Sequence, residues 1–320
     1  MSVAMCLLVY SCVVAVFSPW ALMRLTRAGA LPLLGVVAWL AAMVSVVGSW
    51  LGAAGFLIAA LAQHWRQPDR LAIACFAALR RLFDGGLGPV VHAGIVALAG
   101  VAAIALGILG WRLGRSLWRA RVCGREHAER ARVVGRRIGG VDAVVVDAPE
   151  RAAYCVAGRP DTIVVTSAAL DALSDRHLQA VLAHERAHLN GRHHHVLAFV
   201  RALSAAVPQV ALFSTGAREI ARLLEMSADD AAARRFGTQT VLDALLALSI
   251  GAATPIGAVG ASGVDMLDRA ERLATQSEAR HQWAAGVLLT ATTLFIIGGP
   301  LTWTSMKVAG AMCCYQGAAT

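Results

Sequence analysis

The stretch VLAHERAHLNGRHHHVL, residues 181–197, places five of the chain's ten histidines around a single glutamate. Ser174, a few residues earlier, is of a type that favours the N-cap of a helix. Four apolar side chains then recur at helical spacing: Leu178, Val181, Leu182 and Leu189. This pattern predicts that the stretch lies on a helix. Because positions four apart share one face of a helix, His184 and His188 can present two imidazoles to a single ion.

His184, Glu185 and His188 form the pattern H-E-x-x-H, which is typical of a catalytic zinc site. In such a site two neutral imidazoles hold the ion, and the carboxylate acts on a water that the ion polarises. Glu185 is then the general base that takes the proton and later passes it to the leaving amine. The pattern therefore predicts zinc-dependent hydrolysis. The alternative is a pair of histidines buried in an ordinary core.

A catalytic zinc ion needs a third protein ligand and an open fourth position. Two candidates are present, and they imply different families. Gly191 and His194 complete H-E-x-x-H-x-x-G-x-x-H, the metzincin pattern, although no convincing methionine turn follows. The stretch RLLEMSADDAA (222–232) instead offers Glu225 as a ligand on a second helix. There Asp229 would orient a ligand histidine through its other ring nitrogen, unless the two acids are simply a solvated helix face.

The composition around these motifs is typical of a membrane protein. The chain of 320 residues is 58% hydrophobic and 15% charged, with a mean hydropathy of +0.61, which argues against an ordinary soluble protein. Four stretches reach the roughly 20 residues that a helix needs to cross a bilayer: 3–23, 33–62, 90–111 and 283–306. The second lies in an uncharged run longer than one crossing needs. That run is predicted to tilt, protrude or break near Pro32 and Gly35.

The arginines predict the orientation of these segments, because basic residues are retained on the cytoplasmic side. Arg24 and Arg27 lie between the first two segments, and nine arginines follow the third between Arg112 and Arg137. Four arginines on the opposite side obey the rule less well: Arg66, Arg70, Arg80 and Arg81. Both termini are predicted to be extracytoplasmic. The predicted parts are three crossings in 1–111, a cytoplasmic domain in 112–282, a fourth crossing in 283–306 and an extracytoplasmic tail in 307–320.

The net charge of +9 favours contact with the lipid bilayer rather than with nucleic acid. The arginines cluster just after a membrane segment and have no interleaved aromatic residues on which bases could stack. No direct nucleic-acid partner is therefore expected. The seven cysteines include no C-x-x-C pair, so neither a disulfide framework nor a cysteine metal site is indicated. LAIACFAALRRLF (71–83) is predicted to lie flat on the outer surface.

The segment 112–282 is predicted to combine helices with a small sheet. Its first part continues the third crossing as a helix to about Arg137, which Gly139 and Gly140 end. Two β-branched runs follow, VDAVVV (141–146) and TIVV (162–165), with GRPD (158–161) as a turn before the second run. An exposed sheet edge at 162–166 would pair with an extended peptide substrate.

Three consecutive histidines, His193, His194 and His195, lie one to two turns beyond the predicted ligands. One of them, His194 in particular, could stabilise an oxyanion or serve as the alternative metal ligand. Otherwise the three are exposed near a break in the helix.

These residues resemble a known family. VLAHERAH, preceded by TIVVTSAALDAL and followed by Glu225 and Asp229, is similar to the membrane-embedded gluzincin metallopeptidases, which include the HtpX-like and CAAX-type proteases. The position of the zinc domain between a third and a fourth crossing is more similar to the BlaR/MecR antirepressor branch. The resemblance covers essentially the whole chain. It implies one Zn²⁺ ion held by His184, His188 and Glu225, with Glu185 as the base and Asp229 supporting a ligand.

The fold that the resemblance implies is a mainly α integral membrane protein with four transmembrane helices. A cytoplasmic α+β zincin-like metalloprotease domain lies between the third and fourth of them. The antirepressor branch also carries a penicillin-binding sensor domain after the last crossing, and this domain is expected to be absent here. Lys307, the chain's only lysine, has Thr304 three residues before it, so the S-x-x-K acylation motif is missing.

The expected function is that of a membrane-anchored zinc endopeptidase that cuts a cytoplasmic or membrane-proximal protein. By resemblance, a winged-helix transcriptional repressor is a candidate substrate, and self-cleavage is a further option. Two alternatives stay open. One is quality control of membrane proteins, as in the HtpX-like branch. The other is a signalling scaffold in which zinc is only structural.

Overall fold

The computed structural model describes residues 3–63, 88–137, 143–156, 158, 160–249, 261–275 and 283–299. The predicted surface segment 71–83, the glycines 139–140 and the tail 307–320 lie outside these ranges. The helices in chain order are α1 (Val3–Thr26), α2 (Pro32–Gln63), α3 (Gly88–Val134), α4 (Ser167–Ala172), α5 (Asp175–Asn190), α6 (His193–Ala206), α7 (Ala211–Phe236), α8 (Thr238–Ser249), α9 (Ala261–Ala274) and α10 (Trp283–Gly299). The strands are β1 (Arg136–Arg137), β2 (Val144–Val146), β3 (Ala153–Val156) and β4 (Thr162–Thr166).

Helices α1 and α2 form an apolar N-terminal hairpin. By length and composition both could cross a membrane, over Val3–Thr26 and Pro32–Ala59. The uncharged run does not break: α2 starts at Pro32, a residue suited to a first helical turn, and continues for 32 residues, or about 48 Å. The hairpin connection includes Gly29, whose φ of +58° is readily adopted only by glycine.

Helix α10 packs against this hairpin. The Tyr10 hydroxyl on α1 donates a hydrogen bond to the carbonyl of Ile296 on α10, and it lies 3.0 Å from the Ser45 hydroxyl on α2. Helix α10 contains the described part of the fourth predicted crossing, and α3 contains the third. Their passage through a membrane remains a prediction.

The largest buried cluster joins the hairpin to the helices of the second half of the chain. Trp39 and Met43 on α2 are fully buried with Phe213 on α7. Gly216 on α7 lies against the same two α2 side chains, with which an added Cβ would collide. Helix α7, which carries Glu225, is therefore packed directly on the apolar hairpin.

Helix α3 continues without interruption from the third apolar segment into the second half, over 47 residues or about 70 Å. The prediction that it reaches Arg137 is wrong, because it ends at Val134. Arg136 and Arg137 form β1 instead, which pairs antiparallel with Val145 and Val144 of β2. Gly135 allows this change of direction, since any side chain there would collide with Val144.

The four strands form one sheet in the order β1-β2-β4-β3, in which β2 and β4 are parallel. The predicted turn at 158–161 is confirmed, because β3 and β4 form a hairpin and the Gly158 amide donates to the Asp161 carboxylate at 3.0 Å. The prediction of an exposed edge at 162–166 is wrong. Strand β4 lies inside the sheet and all five of its residues are buried. Within the described part of the chain, the edges of this sheet are β1 and β3.

The predicted helix over the histidine-rich stretch is confirmed as far as Asn190. The Ser174 hydroxyl caps α5 by accepting the amide of His177 at 3.3 Å. The helix then ends at Gly191, and Arg192 adopts a left-handed φ of 51° before α6 begins at His193. This bend folds the His193 ring back against Gly191, where a Cβ would collide with it.

Candidate metal centre

Helices α5 and α7 bring three possible metal ligands together. The Nε2 atoms of His184 and His188 are 3.1 Å apart. Glu225 reaches across from α7, with Oε2 3.4 Å from Nε2 of His184 and Oε1 3.5 Å from Nε2 of His188. Both histidines are at most 9% exposed, whereas the Glu225 side chain is 38% exposed, so the group is buried on the α5 side and open to solvent at the glutamate.

The separations of these atoms fit a zinc ion. Zinc bonds of about 2.0–2.1 Å in a tetrahedron place neighbouring ligand atoms roughly 3.3 Å apart. The two imidazole nitrogens, 3.1 Å apart, lie close to that value, and a carboxylate oxygen of Glu225 approaches each of them: Oε2 at 3.4 Å from His184 and Oε1 at 3.5 Å from His188. Two imidazole nitrogens and one carboxylate oxygen also leave a fourth tetrahedral position free, as a catalytic zinc site requires.

Small side chains allow α5 and α7 to approach closely enough for this geometry. Ala180 on α5 and Ala232 on α7 are buried in one cluster with Val241 and Leu273. Glu225 and Asp229 lie four residues apart, and so they share the face of α7 that is turned towards His184.

Asp229 contacts the second ring nitrogen of His184. Its Oδ1 lies 3.0 Å from Nδ1 of His184, and the carboxylate is fully buried. Burial raises the pKa of Asp229, but the hydrogen bonds from Arg269 and the proximity of His184 outweigh it and hold the pKa below its ordinary value. An ionised Asp229 requires a proton on Nδ1 of His184, which leaves Nε2 free to bind metal.

Arg269 on α9 completes the support of both acids. Its guanidinium donates to Asp229 through Nε and Nη2, at 2.8 and 2.7 Å. Its Nη1 also lies 3.2 Å from Oε2 of Glu225. Nothing in the sequence around Arg269 indicated this role, because it depends on how α9 packs on α7.

His193 plays the corresponding part for His188, and the prediction that all three consecutive histidines are exposed is wrong for it. It is 5% exposed, and its Nδ1 lies 2.9 Å from Nδ1 of His188. Burial, followed by the charge of His188, lowers the pKa of His193 to about 4. A neutral His193 can accept the Nδ1 proton of His188, so that the Nε2 atom of His188 is also free for metal.

His194, the alternative ligand, is placed elsewhere. Its ring packs against that of His195, with centroids 4.0 Å apart. Among the described residues, the group close enough to share one ion consists of His184, His188 and Glu225. The arrangement therefore favours the glutamate over the histidine as third ligand.

Glu185, the predicted base, is 8% exposed beside these ligands. Burial raises its pKa, although the neighbouring His184 and His188 pull it down. Cys155 on the edge strand β3 lies near its carboxylate. Burial, and then the charge of Glu185, raises the pKa of the Cys155 thiol to about 12, so the thiol keeps its proton. Sequence reasoning missed this neighbour, since strand pairing alone brings it there.

Residues 121–275 match the family model described as Peptidase family M48. The matched segment contains all of the metal-site side chains described above. The match indicates a metallopeptidase, which is a hydrolase, and it does not single out the BlaR/MecR antirepressor type. No curated protein and no solved structure matches the chain.

Proposed function

We propose that the chain is a membrane-anchored zinc endopeptidase whose ion is held by His184, His188 and Glu225. The observation that carries this proposal is that one ligand atom from each of the three residues lies within 4.8 Å of the others, with the two imidazole nitrogens 3.1 Å apart. When bound, zinc would polarise a water and the scissile carbonyl as a Lewis acid. The M48 match over 121–275 supports the same reaction class.

The chain's own residues would move the proton. Glu185 would take it from the attacking water and deliver it to the leaving amine. Burial raises the affinity of this carboxylate for a proton, as a base needs. Asp229 and His193 would meanwhile hold the two imidazoles with Nε2 directed at the ion.

The edge strand β3 is the best place for an extended substrate. It pairs on one side with β4 and lies beside α5, where Cys155 lies near Glu185. A peptide that added to its free edge would lie next to the base and the metal ligands. This assignment replaces the one to residues 162–166, which are inside the sheet.

The position of the site favours a membrane-proximal substrate. Two apolar N-terminal helices weakly indicate membrane association, and α7 packs directly on them. We place the protease domain in the cytoplasm between the third and fourth of four crossings, with both termini outside, following the arginine distribution. A winged-helix repressor is the more specific substrate proposal, on the resemblance to the antirepressor branch.

The test compares cleavage products across the proteome between wild type and Glu185→Gln, with the zinc content of both proteins measured. We expect the variant to keep zinc and lose cleavage by a factor on the order of 10² to 10⁴. Unchanged proteolysis would remove Glu185 from the mechanism. Accumulation of many misfolded membrane proteins, rather than of one repressor, would favour the quality-control alternative. A site with four protein ligands and no exchangeable water would instead indicate a scaffold.

A further inference from the structure

Two arginines, one on α7 and one on α9, bind the connection between α1 and α2, which is residues 27–31. Arg222 on α7 donates to the carbonyls of Thr26 and Arg27, at 3.0 and 3.3 Å. Arg272 on α9 donates through Nε to the carbonyl of Gly29 at 2.9 Å. The carbonyls at and just after the end of a helix have no amide of a following turn to accept, so these arginines supply donors where α1 ends.

Each of these arginines is itself fixed by an acid on α7. Arg222 binds Glu219 at 2.9 Å. Arg272 makes two contacts of 2.8 Å with the carboxylate of Asp230. Because each arginine contacts both an acid on α7 and a carbonyl of the connection, the hairpin connection has a defined position relative to α7 and α9.

Helices α7 and α9 also carry Asp229 and Arg269, the residues that support the metal centre. Arg269 lies three residues before Arg272, on the same side of α9, and it grips Asp229 and Glu225. Two neighbouring arginine–aspartate pairs thus join α9 to α7: Arg269 with Asp229, and Arg272 with Asp230. The second pair is the one that also holds the hairpin connection.

Gly29 packs closely against both α7 and α9. A Cβ at this position would lie 2.5 Å from Sδ of Met226 and 3.1 Å from Nε of Arg272. Met226 is buried and adjoins Glu225 in the chain. The connection and these same helices also border a cavity of about 1090 Å³, lined by charged groups that include Arg27, Arg234 and Asp268. Polar contacts therefore hold the connection in place together with its close packing against Met226.

We infer that the α1–α2 connection is a positioning element of the metal centre, acting through Arg272 and Arg269 on Glu225. Displacement of the connection removes one of the hydrogen-bond partners of Arg272. The packing of α9 on α7 then weakens, and Arg269 moves away from Glu225. The apolar hairpin would in this way control how tightly the enzyme holds its ion. The inference deepens the proposed function and rests on it.

The test measures zinc affinity of the full chain in lipid nanodiscs, by competition with a chelator, and the absorption spectrum of the Co²⁺-loaded protein. Arg272→Gln and Gly29→Ala are expected to weaken zinc binding on the order of tenfold and to change the Co²⁺ spectrum. Arg235→Gln, at an exposed arginine that packs on Phe236, is the matched control and should leave both unchanged.

Arg272→Lys keeps the charge next to Asp230 but cannot hold Asp230 and the Gly29 carbonyl together, so we expect an intermediate affinity. This milder variant carries the test if Arg272→Gln does not fold, as judged by melting of the metal-free protein. Wild-type affinity in all three variants would overturn the inference alone. Failure of the wild type to bind zinc would overturn the proposed function and the inference with it.

Discussion

His193 and His188 are joined through their Nδ1 atoms, which lie 2.9 Å apart although the two residues belong to different helices. Zinc-binding histidines commonly direct their second nitrogen at a carboxylate, as His184 does with Asp229. Here a second imidazole takes that part for His188. It can do so only as an acceptor, and therefore only while it is neutral.

Replacement of His193 should weaken metal binding without removing a ligand. We expect His193→Phe to lower zinc affinity by about 10- to 100-fold, because His188 loses the acceptor that fixes its ring. His193→Asn, whose amide oxygen can accept, should restore part of the loss. His195→Phe, at the exposed end of the same run, is the control. Chelator competition measures all three, and equal affinity in His193→Phe and wild type would contradict the assignment.

The third ligand can be decided by zinc content. Glu225→Ala should lose the stoichiometric ion, because it removes one of three donors from the group. His194→Ala should keep the ion, because its ring packs on His195. Elemental analysis of both purified variants is the measurement. Loss of zinc from His194→Ala alone would return the site to the metzincin pattern.

Gly216 should resist substitution. In Gly216→Ala the new Cβ would collide with Met43 and crowd Trp39, and overpacking of this kind costs about 1–3 kcal/mol. Gly114→Ala on α3 is the matched control, since a Cβ there meets nothing within 4 Å and alanine is the better helix former. Thermal unfolding in detergent compares them. A Gly216→Ala protein as stable as wild type would show that α2 and α7 can separate freely.

The thiol of Cys155 should react slowly at neutral pH. Its pKa is raised to about 12, mainly by burial and then by the charge of Glu185, so the reactive thiolate forms only as the pH rises towards that value. Iodoacetamide labelling of metal-free protein, followed site by site by mass spectrometry, should therefore accelerate steeply with pH. Glu185→Gln removes the neighbouring charge, lowers the pKa and should speed labelling at pH 8. Identical rates in the two proteins would place Cys155 away from Glu185.

Local periodicity accounts for the parts of the site that could be predicted. The spacings of His184 with His188, and of Glu225 with Asp229, are one helical turn each, so each pair shares a face wherever its helix packs. The Ser174 cap and the turn at 158–161 depend likewise on residues a few positions apart. Short stretches of sequence are enough to predict such features.

The features that were missed depend on contacts between distant residues. His193 is buried because Arg192 bends the chain into a left-handed conformation, which an arginine does not predict. Arg269 reaches Asp229 only after α9 has packed on α7, forty positions along the chain. Strand order placed β4 inside the sheet, and a run of β-branched residues does not specify its neighbours. Arg136 and Arg137 lie in a strand rather than in α3 for the same reason, because they pair with the distant residues of β2.

Because α2 and α7 share a core, the second half of the chain depends on the hairpin for its folding. A fragment that began at residue 112 would contain every metal ligand, yet it would leave Phe213 and Ile220 without the α2 side chains that cover them. Such a fragment should aggregate in aqueous buffer rather than fold on its own. The hairpin thus contributes to the interior of the second half of the chain, besides being the segment proposed to anchor it.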